Sequence, residues 1–500
     1  MSTFTPFTAP SPSSQPKITP RIIIHGGAGN ITRTTISKAR YDAYQASLRR
    51  ILASSAELLS KPGATALDVA THAVSMLEDD PLYNSGKGAV FTRTGTQELE
   101  SSIMVSNGYV KRGVGCMLLQ RVKNPIKLAR ELLIRGEEEN GGGAKDHCQY
   151  SGPYLEELAK DWGIDLVDTE YFFTQRKWDE HIRGLKEEEK KKRKEEHKLK
   201  FQEERRRKDL ELEKLTVLQV TNSIDHIQVN SNDWEKSHYI PLGTCGAVVL
   251  DSFGTVCCAT STGGLTNKIP GRIGDTPTMG AGYWAEEWLE KTPTPTATPN
   301  LIPQTQAQTQ MLYQPSPSPS ALALDKLSRG DLRGLMSHCL PTVSPSILTP
   351  AYTPIPASTP SASPAEKSSS IRHAVGVSSS GNGDTFVRMA AARTVVAESR
   401  FSSIPLSEAL SNMTGPGGEL QRSARDRWGH AHEGVGGMIG IELVGNRGTV
   451  VCDYNCGGMF RAWTEEDGAQ KCLIFREDSY ESGPKEWREE EREEDGGDSW

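Results

Sequence analysis

The residues of greatest chemical interest are Gly243 and Thr244, which follow a long charged stretch and open the apolar run TCGAVVLD. Glycine has no side chain to block an approaching hydroxyl, and its permissive dihedrals tolerate a strained peptide bond. The Thr244 hydroxyl could therefore attack the Gly243 carbonyl. Rearrangement to an ester and hydrolysis would leave Thr244 as a new chain terminus, carrying hydroxyl and amine on one residue. An α-amino group titrates at roughly 7.7 to 8.0, near enough to neutrality to act as a general base. The nucleophile would supply its own base, without a separate histidine or aspartate. A Gly-Thr pair before a strand is common, so this assignment depends on its surroundings.

Two glycine-rich segments supply them. In STGGLTNKIPGRIGD (261–275), Arg272 and Asp275 lie three residues apart in a loop, where a guanidinium fork and a carboxylate can hold the carboxylate and ammonium of one free amino acid. An ordinary surface salt bridge is the plainer alternative. In SSSGNGDTFVRMAAART, Ser380 and Gly381 precede an expected helix, where a hydroxyl and a free backbone N–H can face a developing oxyanion. A simple Ser/Gly helix entry would look the same.

The elements that must position these groups can be read from periodicity. RIIIHGGAGN (21–30) predicts a short buried strand running into a glycine turn. Leu67, Ala70, Val74 and Leu77 fall at helical spacing, with Thr65 and Asp68 as an N-terminal cap pair. Pro81, Gly86 and Gly88 then impose a loop, and NPIKLARELLIRG and PYLEELAKDWGI predict two more helices. TCGAVVLDSFGTVCCATST predicts a hairpin with strands buried on both faces, and GMIGIELVGNRGTVVCDYN a second one in the same or a facing sheet. Strands at both ends with helices between them imply sheets covered by helices, an α+β fold.

Composition limits how much of the chain can be core. Only 36% of residues are hydrophobic, alongside 47 Gly and 29 Pro, so parts of the chain belong to linkers. A Pro/Ser/Thr-rich lead (1–20), a Lys/Arg/Glu-rich segment (184–240) that is a solvated helix or a disordered linker, a Pro/Ser/Thr-rich insertion (291–370) with at most a short helix at ALALDKLSRGDLRGLM, and an acidic tail (481–500) are the expected linkers. They leave one folded domain made of 21–183, 241–290 and 371–480. A net charge of −7 gives no nucleic-acid footprint, and glutamates interleaved with KKKRK cancel most of its field. With no signal-like start and no run of 18 apolar residues, a soluble cytoplasmic protein is the expectation, a nuclear one remaining open. Nine cysteines without compact spacing read as reduced thiols.

HGGAGN, LEDDPLYNSGKGAVFT, GTCGAVVLD, TSTGGLTNKIPGRIGD and GNGDTFVR occur in the order seen in plant-type L-asparaginases and isoaspartyl peptidases, relatives of glycosylasparaginase and threonine aspartase. The resemblance covers about 21–183, 240–290 and 371–465. It implies the four-layer αββα sandwich of N-terminal-nucleophile hydrolases, here with two long low-complexity insertions, and a homodimer of processed αβ units. It makes Gly243-Thr244 the self-cleavage site and Thr244 the nucleophile, with Thr262 orienting its amine and hydroxyl. Asn84 would lie close behind the nucleophile. Arg272 and Asp275 would bind the substrate α-carboxylate and α-ammonium beside Gly274, and Ser380 and Gly381 would stabilise the oxyanion. No cofactor is implied for catalysis. A structural sodium ion is implied on backbone carbonyls of the loop holding Leu77, Glu78, Asp80, Tyr83, Ser85 and Lys87.

The sequence departs from the family pattern at Ser380, usually threonine, at Cys245, usually valine or isoleucine, and at MVSNG (104–108) in place of an MDG segment. The implied substrate is a small molecule, L-asparagine or a β-aspartyl peptide, with no nucleic-acid or membrane partner. Threonine aspartase is the runner-up within the family, though a mid-chain aspartyl residue offers no ammonium to Asp275. Glycosylasparaginase shares GNGD but normally carries a secretory signal. A non-catalytic scaffold on the same fold is the reading from outside enzymology.

Overall fold

The computed structural model describes residues 17–145, 147–215, 243–291, 370–428 and 432–485. The expected short helix around 321–336, most of the Pro/Ser/Thr-rich insertion and the end of the acidic tail lie outside them. Twelve strands among the described residues form two sheets. The larger has the order β12 (Gln470–Leu473), β11 (Gly458–Thr464), β1 (Arg21–Gly29), β5 (Cys245–Leu250), β6 (Val256–Thr262), β2 (Leu99–Val105), β3 (Gly113–Leu119) and β4 (Gln149–Ser151). The smaller runs β10 (Arg447–Tyr454), β9 (Gly436–Val444), β8 (Ser370–Gly381) and β7 (Tyr283–Lys291).

Both expected hairpins form. In β5–β6 every residue is buried, and the turn is tied by Asp251, whose Oδ1 accepts from the Phe253 and Thr255 amides, each at 2.9 Å. Its last pair is Cys245 with Ser261, so Thr244 and Thr262 emerge side by side one step further along. The β9–β10 hairpin turns at Gly445-Asn446 and belongs to the smaller sheet.

Helix α1 (Lys38–Leu59), α2 (Ala66–Asp79) and α3 (Pro125–Arg135) pack on the larger sheet, burying Leu48, Val69, Val74 and Ile126 with Ile22, Ala247 and Cys257. The cap expected for α2 is present: Thr65 Oγ1 accepts from the Asp68 amide and donates to its carboxylate. A second cluster lies between the sheets, where Ile23, Val248 and Cys258 meet Ala374, Ile439 and Ile441. Beyond the expected short α4 (Pro153–Asp161), the C-terminal part supplies α6 (Gly383–Met389), α7 (Ala391–Ser402), α8 (Leu406–Thr414) and α9 (Glu419–Ala424). Val395, Leu410 and Met413 pack there against Val375, Val377 and Met438.

The charged segment is helical in its described part. Helix α5 (Gln175–Leu215) runs unbroken across the boundary placed after residue 183, because its first turns pack on the body: Lys177 and His181, four residues apart, are both buried. Chain contacts also continue past 480, where the Thr34 hydroxyl donates to the Lys485 carbonyl.

Candidate active site

Strand β1 builds one wall. Its pairing with β11 shifts register between His25 and Gly27, and Gly27 adopts φ +119°. A Cβ at Gly27 would lie 2.9 Å from the Gly243 nitrogen, and one at Gly243 would overlap Ser380 Oγ while crowding Ala28. The glycine before Thr244 is therefore required by space, since it is wedged between β1 and β8, and not by a left-handed backbone.

Thr244 is buried, and its Oγ1 lies 2.8 Å from Thr276 Oγ1. Thr276 was not singled out from the sequence, and its only signal is its place directly after Asp275. Thr262 shares the cavity with Thr244, and its Oγ1 accepts from the Gly264 amide at 3.0 Å. Asn84 sits against the turn next to Thr262. Its carbonyl accepts from the Gly263 amide, its Nδ2 donates to the Gly264 carbonyl at 2.7 Å, and its Oδ1 accepts from the Val90 amide. It braces the turn that follows Thr262 and does not line the cavity.

His25, opposite Gly246 of β5, was also overlooked within HGGAGN. Complete burial drives its pKa down to about 3. Its Nε2 lies 2.8 Å from Ser378 Oγ. The neutral imidazole thus ties β1 to Ser378 of β8.

The remaining predicted residues converge on a cavity of about 220 Å³, lined by Thr244, Thr262, Arg272, Gly274, Asp275 and Gly381 among others. Arg272 Nη2 is 3.1 Å from Asp384 Oδ2, the aspartate of GNGD. Asp275 is buried, which raises its pKa to about 6 against the opposing charge of Arg272, and its Oδ2 accepts from Ser379 Oγ at 3.2 Å. Its Oδ1 lies so close to Gly383 that a Cβ there would sit 2.6 Å away. The Gly274 amide donates to Glu100 Oε2, a further carboxylate in the cavity wall. Ser380 Oγ accepts from the Ala28 amide at 2.9 Å and faces Gly243, whereas Gly381, at φ +154°, reaches the cavity.

Around the expected sodium loop, a Cβ at Gly86 would overlap the Glu78 carbonyl oxygen, and one at Gly88 would overlap that of Tyr83 and lie 2.8 Å from that of Pro81. The Leu77, Asp80 and Ser85 carbonyls accept from the Asp80, Tyr83 and Gly88 amides. Lys87 places its ammonium 5.5 Å from the Tyr171 ring centre. The Glu78 carboxyl is buried, which raises its pKa to about 8, and its Oε1 accepts from Ser261 Oγ and the Ile126 amide. Among the described residues no His, Cys, Asp and Glu side chains cluster as a metal site.

This arrangement, a buried threonine hydroxyl at a strand start facing a small cavity with the Arg272 guanidinium and the Asp275 and Glu100 carboxylates, fits an amidohydrolase. Residues 18–290 match the asparaginase family model, and the chain belongs to that family. It is 37% identical over 266 residues to a Dictyostelium discoideum protein named for isoaspartyl peptidase and L-asparaginase activity, covering 53% of this chain and 70% of that one. It is 33% identical over 264 residues to the isoaspartyl peptidase of Escherichia coli, covering 53% and 67%. With an Arabidopsis thaliana protein named for both activities it shares 27% identity over 454 residues, covering 91% and 98%.

Proposed function

We propose that this chain is a self-processing threonine hydrolase acting on the side-chain amide of L-asparagine and on β-aspartyl peptides. The observation that carries this reading is the single small cavity onto which Thr244, Arg272 and Asp275 open together. Thr244 Oγ1 attacks the Gly243 carbonyl carbon, the peptide C–N bond breaks as nitrogen takes a proton, and water hydrolyses the ester. The products are a Gly243 carboxylate and a free Thr244 amine. Departure of Gly243 from its wedge between Ala28 and Ser380 clears that space for substrate.

In the mature enzyme the Thr244 amine takes the hydroxyl proton as Oγ1 adds to the substrate amide carbon. Gly381 and Ser380 face the resulting oxyanion, the amine returns the proton to the leaving nitrogen, and water releases the aspartyl product from the ester. Thr276, 2.8 Å from the nucleophilic oxygen, orients it. Thr262 is held beside it by the hairpin register and by the turn that Asn84 braces. Arg272 takes the α-carboxylate and Asp275 the α-ammonium. That ammonium favours free amino acids and N-terminal β-aspartyl residues over mid-chain aspartate.

The Glu78 carbonyl beside Gly86 and the Pro81 and Tyr83 carbonyls beside Gly88 are hard oxygen donors on this loop, which supports a structural sodium ion there. The three apolar clusters, one between helices and the larger sheet, one between the sheets and one between the smaller sheet and helices, support the αββα sandwich. The processed units pair as a homodimer in this reading. The test is Thr244→Ala: the chain should remain a single band on a denaturing gel and be inactive on asparagine, and cleavage at 243/244 in that variant would overturn the mechanism.

A further inference from the structure

The loop that carries the substrate clamp is itself held from outside, by the helix that precedes the cleavage segment. Asn267 adopts φ +59°, which turns successive side chains in opposite directions. Lys268 points inward: its buried ammonium donates to the carbonyls of Glu98 and Arg272, at 3.2 and 3.3 Å, beside the Glu98 and Glu100 carboxylates. Asn267 points outward into α5. Its Nδ2 donates to the His181 carbonyl at 3.1 Å, so its Oδ1 is the acceptor for His181 Nδ1, 2.5 Å away, and that contact assigns the proton to Nδ1.

A second observation singles out this contact. Gly184 is an interior helical residue, where glycine is less favourable than alanine. A Cβ at Gly184 would overlap Asn267 Nδ2, so the glycine leaves room for the amide to lie against the helix. The root of α5 is packed onto the body of the fold. Lys177 is buried against Glu180 at 2.9 Å, and Trp178 packs edge-on to Phe91, whose carbonyl accepts from the Asn267 amide.

We propose that His181, Gly184 and Asn267 form a positioning clasp that sets the path of residues 264–275 and so determines substrate affinity. Leu265, Thr266, Arg272, Gly274 and Asp275 all line the cavity from that loop. The inference rests on the functional reading above. On that reading the clasp also crosses the cut, joining the segment before Gly243 to the one after it. Helix α5 is then a working part of the substrate site in addition to leading into the cleavage segment.

The test uses the purified full-length chain. His181→Ala, Gly184→Ala and Asn267→Gly, the last keeping the left-handed backbone without the amide, should self-cleave normally. Each should raise KM for asparagine and for a β-aspartyl dipeptide about fivefold or more, with kcat within about twofold, because orientation is lost while the nucleophile is untouched. Amide hydrogen exchange over 264–272 should quicken in all three. His181→Asn, whose Nδ2 replaces Nδ1–H, should restore both readouts, and the His181→Ala/Asn267→Gly double variant should be no worse than Asn267→Gly alone. Unchanged exchange, or quickened exchange with unchanged KM, would overturn the clasp. A wild-type chain inactive on both substrates would overturn the functional reading and with it any role of the clasp in recognition, a result distinguishable from an active wild type with insensitive variants.

Discussion

Asp275→Asn separates what the carboxylate does for binding from what it costs the fold. Burial raises its pKa from 3.8 to about 6, so in the free protein ionising this group is unfavourable. The folded state then holds a proton that the unfolded chain releases between those values. Asp275 therefore lowers stability as pH rises from about 4 through 6, and above that window the loss is on the order of 3 kcal/mol at about 1.4 kcal/mol per pH unit. Asparagine is nearly isosteric and keeps a partner for Ser379, so the variant should melt several degrees higher than wild type at pH 8 and about equally at pH 4. Binding should move the other way. A charge-assisted hydrogen bond to the substrate ammonium contributes roughly 1.5 to 3 kcal/mol, so kcat/KM on asparagine should fall about ten- to a hundredfold. The additional fall in wild-type kcat/KM below about pH 6 should also disappear, leaving the acidic limb set by the Thr244 amine. Self-cleavage should survive, since the scissile bond presents no ammonium. Full asparaginase activity in Asp275→Asn, or a melting temperature below wild type at pH 8, would refute the assignment.

Three other outcomes follow from the geometry. Gly243→Ala forces a Cβ into Ser380 Oγ, so self-cleavage followed on a gel should slow by about tenfold or more; an unchanged rate would show that the wedge is unimportant. Thr276→Val removes the partner of the Thr244 hydroxyl without changing shape, and kcat should fall about three- to tenfold with KM nearly constant, as steady-state kinetics would report. His25 is held neutral with its pKa near 3, so its stabilising effect is complete above about pH 6.5 and fades as pH falls below that; melting curves of His25→Asn should decline less steeply than wild type between pH 6.5 and 4.

The parts of this site legible in the sequence are those whose residue types carry a local signature. The β5–β6 hairpin could be read because both strands are continuous apolar runs around a turn, and its register alone brings Thr244 beside Thr262. Arg272 and Asp275 could be paired because they lie on one short loop. What was hidden depends on contacts distant in the chain. Thr276 looks like any threonine until β5 delivers Thr244 to it, and Asp384 gains its role only when α6 brings it to Arg272. The same blindness affected the boundary at 183. Charge density marks 186–214 as solvated, and beyond Lys190 the described side chains of α5 are exposed, but composition gives no hint that the preceding turn is anchored by buried Lys177 and His181. A helix whose far end is soluble without support and whose near end grips the substrate loop combines two environments in one element. An average over its residues reports only the larger, solvated part, and Gly184, the residue that departs from both patterns, is the local trace of the contact that average conceals.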